Sequence, residues 1–129
     1  MNFTADDAKN AILSIANRYG VDMAKTIEKM MRLETAHFTS LQYRKTGSAG
    51  MEDGKWSNLP YPMDSIPMDD THKDGLERFI VWKSVTDFAT YLAEYINRHN
   101  GNFARWNSLN PLAQIEYRSR VNSVIPRFV

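Results

Sequence analysis

Met30-Met31-Arg32-Leu33-Glu34-Thr35-Ala36-His37-Phe38-Thr39-Ser40 is the stretch on which the reading of this chain turns. It closes a long helical pattern on a carboxylate and hands the chain to a polar region rich in turn formers. Just upstream, Met23, Ile27, Met30, Met31 and Phe38 make an apolar stripe, with Lys25, Lys29 and Arg32 on other faces. Asp22 stands where an N-cap is wanted, so the spacing predicts a helix from Asp22 through Leu33 to about His37.

Working outward, Thr4 and Asp7 have N-cap and N3 spacing, and Ala8, Ala11, Ile12, Ile15, Ala16 and Tyr19 follow at helical intervals until Gly20. On the other side, Gly47, Gly50, Gly54, Pro60, Pro62 and Pro67 interrupt any regular pattern between Thr39 and Lys73. This predicts a small lobe over about 41–78, dominated by loops with room for a short hairpin. Runs of that length inside compact domains are commonly functional.

Phe79-Ile80-Val81-Trp82 reads as a short strand or an extended entry to the next helix. Ser84 and Asp87 repeat the capping-box spacing and open a helix burying Phe88, Tyr91, Leu92, Tyr95 and Ile96, ending near His99. A shorter helical piece holds Phe103 and Trp106. Asn110-Pro111 then starts a last helix, with Leu112, Ile115, Val121 and Val124 as its apolar positions, ending before Pro126.

A chain of 129 residues is expected to be one domain that buries roughly two thirds of its unfolded surface. Hydrophobic residues at 43% and charged residues at 24% fit a globular class and exclude wholesale disorder. A net charge of +1 gives no strong field for nucleic acid. Without cysteine there is no disulfide framework and no thiol nucleophile. The acidic start, Asn2-Phe3-Thr4-Ala5-Asp6-Asp7, is not a secretory leader, and no apolar run reaches the roughly 18 to 20 residues that span a bilayer.

Two readings of Glu34 stand side by side. It could be an exposed helical glutamate paired with Arg32 or Lys29. Alternatively, apolar neighbours such as Leu33, Met30, Met31 and Phe38 disfavour its charged form and make it a general acid. Glu34 and His37 also have E-x-x-H spacing, but a di-iron site needs a second copy, which is missing. No metal and no cofactor is therefore expected. His37 reads better as lining a cleft beside Glu34.

A glycosidase needs a second group opposite its acid. Among Glu52, Asp53, Asp64, Asp69, Asp70 and Asp74, the adjacent pair Asp69 and Asp70 is the densest candidate. The run lacks the regular spacing of a calcium loop. Of the aromatics, Tyr91 and Tyr95 sit at core spacing, while Trp56 and Tyr61 lie among chain breakers and suit a sugar-stacking cleft.

At Leu33-Glu34-Thr35-Ala36-His37-Phe38-Thr39-Ser40 the chain resembles the glucosaminidase-type peptidoglycan hydrolases, the flagellar and autolysin group of the lysozyme-like superfamily. Their pattern runs leucine-glutamate-threonine-glycine-tryptophan-glycine and ends in serine, the glutamate being the general acid. Leu33, Glu34, Thr35 and Ser40 match, while Ala36, His37 and Phe38 depart. Phe79, Trp82, Ser84 and Asp87 are similar to a second block of the family in the same order, and Tyr117 with Val121 and Ile125 looks like its closing tyrosine helix. The family's phenylalanine-glycine-isoleucine-lysine segment is missing, with Trp56-Ser57-Asn58-Leu59 roughly in its place. Trp106 is the nearest substitute for a further family tyrosine.

The resemblance implies a mainly α, lysozyme-like domain with a small loop or β-hairpin lobe that cleaves the β-1,4 glycan strands of peptidoglycan. Catalysis would fall to Glu34, with Asp69 or Asp70 positioning water or stabilising positive charge. His37, Ser40, Trp56, Tyr61, Trp106 and Tyr117 would bind the glycan. If no second carboxylate reaches the bond, a one-glutamate lytic transglycosylase is implied instead. The expected partner is a peptidoglycan strand met by a monomer, with neither nucleic acid nor membrane insertion. Reaching the wall without a leader implies a holin, a virion or a longer exported chain. Two rival expectations are a non-catalytic lysozyme-like glycan-binding or virion module and a plain helical interaction domain.

Overall fold

The first two helical patterns fold back on each other through a single residue. In a computed structural model describing residues 2–51, 64–69 and 76–129, α1 spans Ala5–Tyr19 and α2 spans Val21–Glu34. Gly20 joins them at φ 97°, a conformation that costs a side-chain-bearing residue more than glycine. The capping box at the start of α1 forms as the spacing predicts: Asp7 N–H donates to Thr4 Oγ1 at 3.2 Å and Thr4 N–H to Asp7 Oδ2 at 2.8 Å. Asp22 does not cap α2. It lies in the first turn, where its charge still favours the helix dipole.

After α2, Ser40 accepts the Tyr43 N–H at 3.1 Å and caps a short helix, α3 (Leu41–Thr46), within the region expected to be loop-dominated. The expected hairpin is present. β1 (Asp64–Asp69) pairs antiparallel with β2 (Leu76–Val81), in a register running from Asp64 opposite Val81 to Asp69 opposite Leu76. Two backbone bonds dock β2 and the residue after it on the end of α3 and the segment that follows: Ile80 N–H to Met51 O at 2.7 Å and Trp82 N–H to Thr46 O at 2.9 Å. The Trp82 indole, wholly buried, donates to Met51 Sδ at 3.3 Å. These contacts fix the hairpin to the helical body.

α4 (Val85–Arg98) starts on Ser84, whose hydroxyl accepts the Asp87 N–H at 3.0 Å. Its buried face carries Phe88, Leu92 and Ile96, and small residues, Ala89 and Ala93 on α4 with Ala8 and Ala11 on α1, let the two helices pack closely. A 3-10 turn, Phe103–Trp106, leads to α5 (Pro111–Asn122), where Asn110 caps the N–H groups of Leu112 and Ala113. The core is shared by α1, α2 and α4, with Ile12, Ile15, Ile27, Met30, Met31 and Phe88 fully enclosed.

α5 buries only part of the stripe its apolar residues predict. Val121 is buried as expected and Val124 half-buried, but Leu112 and Ile115 are exposed, and Tyr117 faces inward beside Val121. Among the described residues the helix packs chiefly against α2 and the 3-10 turn, so one narrow i, i+4 seam suffices. The domain is thus mainly α with a small β-hairpin. Among the described residues, no helix is long and apolar enough to cross a membrane.

Candidate active site

α2 ends on Glu34, one turn earlier than its periodicity predicts. Ala36, His37 and Phe38 take φ values of 49°, 57° and 67°, three consecutive left-handed residues, none of them glycine. Each such residue costs about 1–2 kcal/mol. Thr35 answers part of that cost: its hydroxyl donates to Met31 O at 2.6 Å and accepts the Phe38 N–H at 2.8 Å. Its carbonyl accepts from Thr39 and Ser40 at 3.0 and 2.9 Å. Because the helix stops here, Glu34 and His37 share no helical face, which removes the E-x-x-H geometry.

The turn leaves Glu34 at the C-terminal end of α2, where the helix dipole already disfavours a negative charge. α5 crosses this end and brings Tyr117 beside it. The Glu34 pKa is raised, chiefly by desolvation; the Tyr117 hydroxyl and then the Arg120 charge act in the opposite direction and do not outweigh it. As a residue Glu34 is exposed, yet its carboxyl is crowded enough for desolvation to lead.

Tyr117 is only 1% exposed, and its hydroxyl has no well-directed hydrogen-bond partner among the described residues. Burial pushes its pKa up, and the neighbouring Glu34 pushes it the same way. A buried phenol without a partner is uncommon and costs stability. Arg120, one turn further along α5, is exposed.

The remaining expected site residues divide. The His37 ring lies 3.4 Å, Nδ1 to Nη1, from Arg32. The Ser40 hydroxyl is occupied in capping α3. Trp106 is half-buried, its ring edge-on to Phe88, Tyr91 and Tyr95 at 6.0, 6.3 and 5.1 Å between centroids. Asp69 closes β1, and Trp56, Tyr61 and Asp70 lie outside the described residues. Among the described residues, no group of three or more histidine or acidic side chains could hold a metal ion.

The pairing of Glu34 with Arg32 does not form. Arg32 Nε instead donates to Glu28 Oε2 at 2.7 Å, in a buried i, i+4 pair. The Glu28 carboxylate, fully enclosed, also accepts the backbone N–H of Arg127 at 2.6 Å and of Phe128 at 3.0 Å. Sequence reasoning passed over Glu28 and Arg120. The i, i+4 spacing of Glu28 and Arg32 is a legible signal for the first; nothing local marks the second.

A surface depression of about 420 Å³ lies elsewhere, between the starts of α1 and α4, lined by Phe3, Asp7, Lys83 and Thr86 among others. Glu34, Tyr117 and Arg120 do not line it. Comparison with protein-family models, curated proteins and solved structures yields no match for this chain.

Proposed function

We propose that the protein is a glycosidase that cleaves the β-1,4 glycan strands of bacterial peptidoglycan, with Glu34 as general acid. The observation that carries the reading is the setting of Glu34: a solvent-reachable carboxyl, biased toward its protonated form, beside the buried hydroxyl of Tyr117. A protonated carboxyl is what a glycosidic oxygen needs as the bond breaks. The left-handed conformations of Ala36 and Phe38 add support, since the resembling family carries glycine at both places.

In this reading Glu34 protonates the leaving oxygen, Arg120 faces the conjugate base once the proton has left, and Asp69 or Asp70 assists from the small lobe. If water attacks the anomeric carbon, the product is a reducing sugar. If the sugar's own hydroxyl attacks, the product is an anhydro sugar lighter by one water.

The test is muropeptide release from purified cell walls, with products weighed by mass spectrometry. Wild type should release muropeptides, and Glu34→Gln should lower the rate by about 10²- to 10⁴-fold, the usual worth of general acid catalysis. Binding to walls without any release by the wild type would leave a glycan-binding module and sink the enzyme.

A further inference from the structure

Three adjoining left-handed residues require support from outside their own turn, and the structure supplies a continuous route for it. The Phe38 ring is buried, edge-on to Tyr43 at 5.5 Å and stacked on Phe128 at 5.7 Å. The Arg32 guanidinium lies against both phenylalanine faces, 5.0 Å from the Phe38 centroid and 4.6 Å from that of Phe128. Arg32 also anchors the turn through its backbone, its carbonyl accepting the His37 N–H at 2.9 Å. Glu28 holds Arg32 in place, and the N–H groups of Arg127 and Phe128 hold Glu28. Charge-assisted bonds to a fully enclosed carboxylate are strong and directional.

We propose that the segment 127–128, acting through Glu28 and Arg32, is a positioning strap that holds the left-handed turn after Glu34 and so sets where the acid points. Phe128 and Glu28 are then positioning residues, not catalytic ones. The part of the proposal that concerns catalysis rests on the reading of Glu34 as the acid; the part that concerns the turn does not. In a chain with glycine at these positions the turn would carry less strain. Here ring stacking and a buried ion pair take over that task.

The experiment combines Phe128→Ala, Ala36→Gly and the double variant, each followed by amide hydrogen exchange and by muropeptide release. Ala36 is exposed, so glycine there relieves backbone strain without removing a packed side chain. Phe128→Ala should speed exchange at the Phe38, Thr39 and Ser40 amides by about tenfold or more, while interior amides of α1 and α4 keep wild-type protection. It should lower kcat by about tenfold with KM within about twofold, and Ala36→Gly in the same chain should restore most of both losses.

An anchor with only a general stabilising role predicts something different: exchange at 38–40 rising in step with α1 and α4, and no rescue by Ala36→Gly. Either result overturns the strap. If the turn opens while release is unchanged, the positioning of Glu34 is overturned. A wild type that releases nothing counts against the glycosidase reading, and exchange alone then decides the strap. Should Phe128→Ala not fold, Arg32→Lys serves the same comparison, since it keeps a charge for Glu28 but loses the flat guanidinium packed against both rings.

Discussion

At Glu34 three influences compete, and their order sets the chemistry. Desolvation raises the carboxyl pKa, while Tyr117 and Arg120 lower it by favouring the anion. Activity that needs protonated Glu34 falls as pH rises through that raised pKa. Removing either opposing group raises it further, so both Tyr117→Phe and Arg120→Gln should move the alkaline limb of the kcat profile to higher pH. A limb that stays in place, or moves down, in both variants would sever these residues from the acid. Glu34 and Tyr117 could be singled out from the sequence because both sit in short ordered patterns. Arg120 could not: only the crossing of α5 over the end of α2 makes it a neighbour, and no local spacing encodes that crossing.

The elements show where periodicity informs and where it stops. α1 and α4 were legible because capping residues and an apolar stripe agree at both, while of the hairpin only the Phe79–Val81 end of β2 was legible as an apolar run, β1 being polar and carrying Pro67, which reads as a breaker. The end of α2 was not, since the apolar stripe continues to Phe38 while the backbone has already turned left-handed at Ala36. Phe38 reaches the core by that turn rather than by helical spacing. Thr35 is the residue that permits it. Thr35→Val should therefore cost about 1–3 kcal/mol in urea denaturation, two hydrogen bonds to otherwise buried groups being lost, and Thr35→Ser should recover most of that. Equal stability of Val and wild type would show the turn to be held by packing alone. Gly47 gives a further check: in Gly47→Ala the Cβ would sit on a left-handed backbone and press on the Phe3 ring at 3.1 Å. The variant should melt below wild type, and an unchanged melting temperature would contradict the tight seat of Phe3 under the end of α3.

For the whole molecule, the same desolvation that would equip Glu34 for the proposed role of acid works against the fold. A carboxyl whose pKa is higher folded than unfolded binds its proton more tightly in the native state, so its stabilising contribution is present at low pH and lost as pH rises through the folded pKa. Glu34→Gln, which stays neutral, escapes that loss. The difference in melting temperature between Glu34→Gln and wild type should be near zero below the ordinary glutamate value of 4.5, grow as pH rises above it, and level off beyond the raised pKa of Glu34. Exposure of the residue to solvent screens the effect and keeps it modest. The buried Glu28 is the control within the same helix. Its carboxylate is matched by Arg32 and two backbone N–H groups, so Glu28→Gln should destabilise at neutral pH, leaving Arg32 buried without its anion. Two glutamates six positions apart on α2 should thus respond to the same substitution with opposite signs. Melting curves of the two variants at neutral pH that shifted in the same direction would mean that Glu34 is not held in its strained electrostatic setting, and the case for it as the acid would lose its physical basis.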